Sequence, residues 1–213
     1  MENIKTFSID AITGIKIKSA LTQINVVSGS GPEIVLRWTD TKRRVTEVVV
    51  EDKVLIVKDR AEVALYGIVG LIKLKEDKEL TLELPPEFVG MVQVESKDEC
   101  VRILGVAGPC SLQAKTVIGG IEVFSTDLES YDLTSQGGGI ILHSVTSQKG
   151  INVHTKTGSI ECHCAENAEN YLLDCHSEHG MVDLPSTAGR GKKRLCLRSK
   201  TGRITVAFED KAG

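Results

Sequence analysis

The sequence predicts an all-β protein: a single-chain β-solenoid of about six coils with a period of 19–22 residues, preceded by an N-terminal β-strand and hairpin layer. Three observations predict it. Five segments in the second half share one alternating apolar pattern, and each is followed by a glycine and a second, shorter alternating pair. No segment of useful length has a helical period. A fixed period of about 20 residues, made of two short strands around a glycine turn, is typical of a stacked β-solenoid.

The repeats are defined by their first strands, which are Leu112-x-Ala114-x-Thr116, Tyr131-x-Leu133-x-Ser135, Ile151-x-Val153-x-Thr155, Leu173-x-Cys175-x-Ser177 and Leu195-x-Leu197-x-Ser199. The glycines that follow lie at positions 120, 139, 158, 180 and 202, and the last two steps are slightly longer than the first two. We expect these glycines to supply positive φ angles at the turns. A degenerate copy from Val92 to Ser96, with Glu99 near the expected glycine, is interpreted as the cap.

The N-terminal region reads as separate strands. Alternation predicts strands at 15–17, 24–26 and 34–38, a hairpin over 48–57, and a strand over 80–84. Pro85 and Pro86 end the last of these, because proline donates no hydrogen bond to a ladder. We therefore divide the chain into residues 1–86, which pack on or cap the solenoid, and residues 87–213, which form it, as one continuous structural unit.

Residues 61–74 break the pattern. The stretch from Val63 to Ile72 carries no charge and contains two glycines. Three interpretations stay open: a buried strand pair that plugs the open end of the solenoid, an exposed apolar lid or partner-binding loop, and a membrane-surface segment.

Composition excludes several functional classes. A formal net charge of −3 and a pI near 6.0 argue against a nucleic-acid partner. Only 4% of the residues are aromatic, so few stacking platforms are available for sugars or bases. We see no signal peptide and no apolar run long enough to span a bilayer, and we expect a cytoplasmic protein with its six cysteines reduced.

Cysteines and histidines cluster in two repeats that we expect to be adjacent, as Cys162-His163-Cys164 and as Cys175-His176-x-x-His179. The spacing matches neither a zinc ribbon nor a zinc finger. Strand alternation points the cysteines inward and the first two histidines outward, so at most Cys164, Cys175 and His179 converge. We predict structural cysteines and no metal site, and metal binding by those three residues stays the alternative.

Other motifs are explained by the repeat. Lys-Thr-Gly occurs at 156–158 and 200–202, as in serine β-lactamases, but the Ser-x-x-Lys nucleophile motif is absent. The acidic pairs Glu122 with Asp127 and Glu161 with Glu166 would suit a glycan-cleaving groove only if they faced one. A row of hydroxyls is predicted to hydrogen-bond from coil to coil, and comprises Ser96, Thr116, Ser135, Thr155, Ser177 and Ser199. We predict no catalytic, cofactor-binding or metal residues, and no enzyme.

The segments Leu82-x-Leu84-Pro85-Pro86 and Val92-x-Val94-x-Ser96, with the later glycine turns and the strands at 15–17, 24–26 and 33–36, resemble the bacterial putative-adhesin family. The resemblance covers roughly residues 8–207. It implies a toast-rack-like β-solenoid domain of unknown function, and it offers no catalytic residues.

These observations predict a non-enzymatic protein-interaction or scaffold module that binds through a strand edge, an open end or residues 61–74. One alternative is a self-assembling structural β-solenoid, since the ends of such a stack present unpaired edges. The other is a glycan-binding or glycan-cleaving β-helix. The expected partner is another protein or a second copy of the chain, with no nucleic acid, no membrane span and no cofactor.

Overall fold

The computed structural model describes residues 2–40, 44–61, 79–184 and 190–209, and within these ranges the chain is all β, as predicted. Seventeen strands belong to one open, curled sheet. The only helical elements described are two single 3-10 turns, Ile9–Ala11 and Ala168–Asn170. A solenoid of about six coils is a finer description and remains a prediction. The apolar stretch at 61–74 lies outside the described residues, except for Ala61 at the end of a strand.

The strands, in chain order, are β1 (Glu2–Ser8), β2 (Gly14–Ser19), β3 (Gln23–Ser28), β4 (Glu33–Thr39), β5 (Arg44–Glu51), β6 (Val54–Ala61), β7 (Glu79–Leu84), β8 (Met91–Ser96), β9 (Val101–Leu104), β10 (Ala107–Thr116), β11 (Ile121–Ser135), β12 (Ile140–Thr155), β13 (Ile160–Cys164), β14 (Tyr171–Ser177), β15 (Val182–Asp183), β16 (Lys193–Ser199) and β17 (Ile204–Phe208). The predicted N-terminal strands and hairpin are confirmed as β2 to β7.

Most strands run in two parallel ladders. The first ladder contains, in spatial order, β6, β2, β8, β10, β11, β12, β16 and β14. The second contains β7, β3, β9, β11, β12, β13, β17 and β15. The long strands β11 and β12 serve both ladders, because each bends at a serine with positive φ, Ser125 at 52° and Ser144 at 54°.

The repeat sets the register of both ladders. Ala114 pairs with Leu133, and Leu133 pairs with Val153, so each of these residues lies beside its counterpart in the next repeat. The N-terminal strands continue the same ladders, since Ile17 pairs with Val94 and Val26 pairs with Ile103. Alternate side chains along each strand point inward. They form one core of buried aliphatic residues that runs through all the repeats.

The last two repeats of the chain, β14–β15 and β16–β17, are arranged in space in the reverse of their order in the sequence. Leu197 of β16 pairs with Val153 on one side and with Cys175 on the other, so β16 lies between β12 and β14. In the second ladder, Ile204 pairs in the same way with both Ile160 and Val182. The expectation that the repeats around Cys162 and Cys175 are adjacent is therefore wrong. The connection that leads to β14 therefore spans two strand spacings, about 9.6 Å, instead of one.

Glycines stack at the turns between the two ladders. A Cβ atom on Gly158 would overlap the carbonyl of Gly138, and a similar overlap with backbone holds along the column for Gly119, Gly138, Gly202 and Gly180. Among the described glycines, positive φ angles occur only at Gly90, Gly105 and Gly108. The predicted reason for the turn glycines is therefore wrong: they are needed for close backbone approach. Gly119 and Gly138 also take the places expected for Gly120 and Gly139.

The predicted hydroxyl row bonds to backbone and not from hydroxyl to hydroxyl. Thr155 Oγ1 accepts the N–H of Gly158 at 3.0 Å and donates to the carbonyl of Gly138 in the neighbouring repeat at 3.3 Å. Ser135, Ser177 and Ser199 make the same pair of bonds at their own turns. Each of these four hydroxyls thus closes its own turn and joins it to the next.

We predict that Gly158→Ala lowers the free energy of unfolding by about 1–3 kcal/mol, because the added methyl group would overlap the carbonyl of Gly138 and must push two backbone segments apart. The matched control is Gly31→Ala, since a Cβ at Gly31 would meet no atom within 4 Å. Denaturant unfolding measures both. Equal stability of the two variants would contradict the close-approach explanation.

Candidate interaction surfaces

One end of the sheet exposes apolar side chains. On and beside β14 and β15, Leu172 is 55% exposed and Met181 69% exposed, and Val182 and Leu184 are exposed as well. No further strand follows β14 and β15 in either ladder in the described part of the chain, which leaves Val182 exposed although its partner Ile204 is buried. Leu172 lies on the outward face of β14, in register with Arg194. We call this surface, formed by Leu172, Met181, Val182 and Leu184, the open end.

A row of polar side chains crosses the outward face of the first ladder. Gln93 Nε2 donates to Gln113 Oε1 at 2.8 Å, and Gln113 Nε2 donates to Asp132 Oδ2 at 3.1 Å. Asn152 Nδ2 donates to the other oxygen of Asp132 at 3.2 Å. Because each partner lies one repeat further along the chain, the row follows directly from the register. It gives this face a fixed polar line without an unpaired carboxylate.

The row ends in a charged cluster that sequence reasoning missed. Asp174 Oδ2 accepts a hydrogen bond from Arg194 Nη2 at 2.7 Å, and Asp174 Oδ1 accepts one from Arg198 Nη2 at 2.8 Å. These two hydrogen bonds hold the pKa of Asp174 below its ordinary value. Cys196 lies between the arginines, largely buried, with its Sγ 3.8 Å from Asp174 Oδ2. The sequence did contain a signal for this cluster, since strand alternation places Asp174 and Cys196 on the outward face.

A notch opens beside this cluster where β12 has a glycine on its outward face. The cavity measures about 360 Å³ and lies over Gly150, between Ser130 and Arg194. Its polar walls already have partners. Ser130 Oγ donates to Ser111 Oγ at 2.9 Å, and Lys149 forms an ion pair with Glu129 at 2.6 Å. Polar groups that line the notch are therefore satisfied within the protein.

The outward face of the second ladder carries a short ring stack. Phe124 and His143 have ring centroids 6.0 Å apart, and His143 and His163 have centroids 5.1 Å apart. The three residues are directly paired in neighbouring strands. The sequence contains this signal, because the three residues occupy the same position in successive repeats.

The predicted phase of the cysteines and histidines is largely confirmed. Cys162 and Cys164 are buried, with their Sγ atoms 3.7 Å apart, while Cys175 is half-buried and His179 is exposed. No group of three or more His, Cys, Asp or Glu side chains suited to a metal ion occurs in the described ranges. The structure thus does not bring Cys164, Cys175 and His179 together as a ligand set.

Burial makes several thiols weaker acids than an exposed cysteine. Desolvation raises the pKa of Cys100, Cys110 and Cys175 from 9.0 to about 11. The pKa of Cys162 is raised well above its ordinary value, first through its hydrogen bond with Cys164 and then through burial. Since the thiolate is the reactive form, these four cysteines are poor nucleophiles near neutral pH. All six cysteines are free thiols in the structure.

The remaining motifs have separate partners. Glu122 accepts a hydrogen bond from Arg102 at 2.8 Å, Asp127 from Thr146 at 2.6 Å, and Glu166 from Lys193 at 2.7 Å. Three of the four acidic residues are thus used in unrelated contacts. The two Lys-Thr-Gly copies are neighbouring turns, joined by the N–H of Thr201, which donates to the Lys156 carbonyl at 3.2 Å.

We predict that stability falls as pH rises from about 9 to 11. Thiols of the unfolded chain lose their protons near pH 9.0, whereas Cys110 in the folded protein, with its pKa raised to about 11, keeps its proton to a higher pH. The unfolded state therefore binds fewer protons than the folded state between these pH values, and stability falls. For one such thiol the loss reaches about 2–3 kcal/mol. Unfolding measured across this pH range in reductant should show a smaller decline for Cys110→Ala.

The control for this prediction is Val106→Ala, which removes buried apolar volume without removing a thiol. This variant should have a lower free energy of unfolding at every pH, and that free energy should decline with pH as steeply as in the wild type. An identical pH slope in Cys110→Ala and the wild type would show that burial does not hold this thiol neutral.

No helix in the described ranges is long and apolar enough to cross a membrane. A scan against protein-family models finds no match, and a search of curated proteins finds none either. Solved structures do match.

A putative cell adhesion protein from Clostridium sporogenes is 11% identical, with a TM-score of 0.53, over 98% of this chain and 99% of that one. A putative adhesin from Bacteroides fragilis is 12% identical, with a TM-score of 0.49, over 97% of each chain. A putative lipid binding protein from Parabacteroides distasonis is 10% identical, with a TM-score of 0.34, over 98% and 97%. Of these three, only the first exceeds a TM-score of 0.5, and at such identities the likeness shows the fold alone. The chain therefore has the fold of the bacterial putative adhesins, the family of unknown function that its sequence resembles.

Proposed function

We propose that this chain is a non-enzymatic protein-interaction or scaffold module, and that it contacts its partner through the open end. The observation that carries the proposal is the set of exposed apolar side chains at Leu172, Met181, Val182 and Leu184. Exposed apolar groups gathered at one place mark interfaces, whereas single ones are ordinary. Here all four lie on or beside β14 and β15, the strands at the end of the two ladders.

The backbone of β14 supports the same surface. β14 pairs with β16 along its whole length, and on its other edge the described structure has a single bridge, between Leu172 and Arg190. An edge strand with unpaired N–H and C=O groups is a template for another strand. A partner that adds an extended segment to β14 would bond to this backbone beside Leu172, and a second segment along β15 would cover Val182.

A winding of about six coils, which we propose as the finer description of the sheet, explains why such an end exists. The parallel pairings between equivalent positions of successive repeats support it. Each coil buries its apolar residues against the next, so the last coil lacks a neighbour on one side.

Self-assembly is the second candidate, and the opposite end of the first ladder favours it. β5 pairs only with β6 in the described structure, and its Val45 and Val50 are exposed. Contact between β14 of one copy and β5 of another would be head-to-tail, and such contacts give filaments when the rotation does not close.

The proposal that the chain is not an enzyme is supported by the separate engagement of its carboxylates. Glu122 is paired with Arg102, and Glu166 is paired with Lys193. A glycan-cleaving groove requires two carboxylates across one bond. A cytoplasmic location also stays part of the proposal, and the six free thiols support a reducing compartment.

The test combines peptide selection with variants of the open end. Short extended peptides selected from a random library on the immobilised wild type should bind Leu172→Lys/Met181→Lys at least about tenfold more weakly, because two apolar contacts are replaced by charges. Val89→Lys is the control, since Val89 is an exposed apolar residue outside β14 and β15. Equal affinities for all three proteins would contradict the proposal.

Light scattering over a range of concentrations distinguishes the two candidates. An oligomer that dissociates in Leu172→Lys/Met181→Lys would identify the occupant of the open end as a second copy. A monomer at all concentrations, together with peptide binding that depends on Leu172 and Met181, supports a different protein partner.

A further inference from the structure

A second cavity, of about 370 Å³, lies on the outward face of the first ladder, where β2, β8, β10 and β11 reach their C-terminal ends. Lys18, Lys97 and Lys115 line it, together with Thr116 and Val117. Two strands of the ladder, β12 and β16, separate it from β14 at the open end. It is therefore a different surface from the one proposed above.

Three lysines and one carboxylate, that of Glu95, line the cavity, so its lining has a net positive charge. Lys18 forms an ion pair with Glu95 at 3.0 Å. Lys97 and Lys115 are exposed and have no ion-pair partner within 4.0 Å among the residues that the structure describes. The chain as a whole has a formal net charge of −3, so this is a local excess of positive charge in a protein of opposite net charge. Such an excess attracts anionic groups.

Thr116, at the end of β10, differs from the corresponding threonine of β12. Thr116 occupies the hydroxyl row, but its Oγ1 is buried and has no hydrogen-bond partner in the described structure. The corresponding Thr155 makes two bonds, to Gly158 and Gly138. A buried hydroxyl without a partner is uncommon, and Thr116 belongs to the lining of the cavity, although its side chain has the inward phase of Ala114.

An apolar contact lies directly beside the charges. Val117 and Ile118 follow β10 in the turn, and Ile118 is 64% exposed. No aromatic side chain is among the described residues that line the cavity. Bound sugars usually stack on aromatic rings, so an anionic glycan would find charge here without a platform. Lysines next to exposed aliphatic side chains instead match a peptide in which acidic and aliphatic residues are adjacent.

Two further lysines extend the surface along the same turn position. Lys156 and Lys200 follow β12 and β16, and neither has an ion-pair partner among the described residues. From β8 to β16 the first ladder takes four steps, so at about 4.8 Å a step Lys97 and Lys200 are separated by about 19 Å. An extended peptide covers this distance with about six residues.

We infer that the surface formed by Lys97, Lys115, Val117 and Ile118, continued by Lys156 and Lys200, binds an extended acidic segment of a protein partner. Carboxylates of the segment pair with the lysines, and an aliphatic side chain packs on Val117 and Ile118. The inference does not depend on the open end, since it uses none of the same residues.

The probe is a fluorescent ten-residue peptide of alternating glutamate and valine, with the glutamine–valine peptide as its matched control. Anisotropy titrations at about 50 and 200 mM salt should show binding of the glutamate peptide that weakens with salt. Lys97→Gln/Lys115→Gln should weaken it about tenfold, as expected for the loss of two exposed charge contacts. Ile118→Ser should weaken binding and leave its salt dependence unchanged.

The control variant is Lys5→Gln/Lys53→Gln, which removes the same charge from β1 and from the turn of the β5–β6 hairpin. It should bind the peptide as the wild type does. Equal weakening in the two double variants, or equal binding of the glutamine peptide, would overturn the inference. Tighter binding of heparin or polyphosphate than of the glutamate peptide at equal charge would overturn the partner class. Circular dichroism of each variant establishes that it is folded.

Discussion

The structure depends on the contact between turn backbones in neighbouring repeats. Because Gly158 has no side chain, its turn lies against the carbonyl of Gly138, and Thr155 bonds both turns at once. This contact puts consecutive turns in register, and the register then aligns both ladders. The apolar side chains are buried one above another as a result. Turn chemistry, more than any single core residue, determines where each strand lies.

The all-β class and the positions of most strands could be predicted, because alternation reports directly which side of a strand faces the core. The order of the last repeats could not. The segments Leu173-x-Cys175-x-Ser177 and Leu195-x-Leu197-x-Ser199 present nearly the same inward pattern, so both fit the edge of β12. The choice depends on how the connecting segments cross the stack, and no local pattern records that.

The candidate surfaces were harder to predict for the same reason. Asp174 contacts Arg198 only because β16 is inserted next to β14, and Val182 is exposed while its partner Ile204 is buried only because β15 is terminal. The lysine surface needs the register of strands far apart in sequence, from β8 to β16. Residue types indicated the chemistry available, whereas strand order decided which residues meet.

The position of β16 and β17 between earlier strands has a consequence for biosynthesis. A ribosome delivers β14 and β15 before β16 and β17 exist, so the edges of β12 and β13 are open when the earlier pair emerges. The earlier pair carries nearly the same inward pattern, so its side chains also fit the place that the later pair finally occupies. The native order of these strands is reached only after β16 and β17 have been synthesised, so this half of the protein does not form by adding one repeat after another from one end.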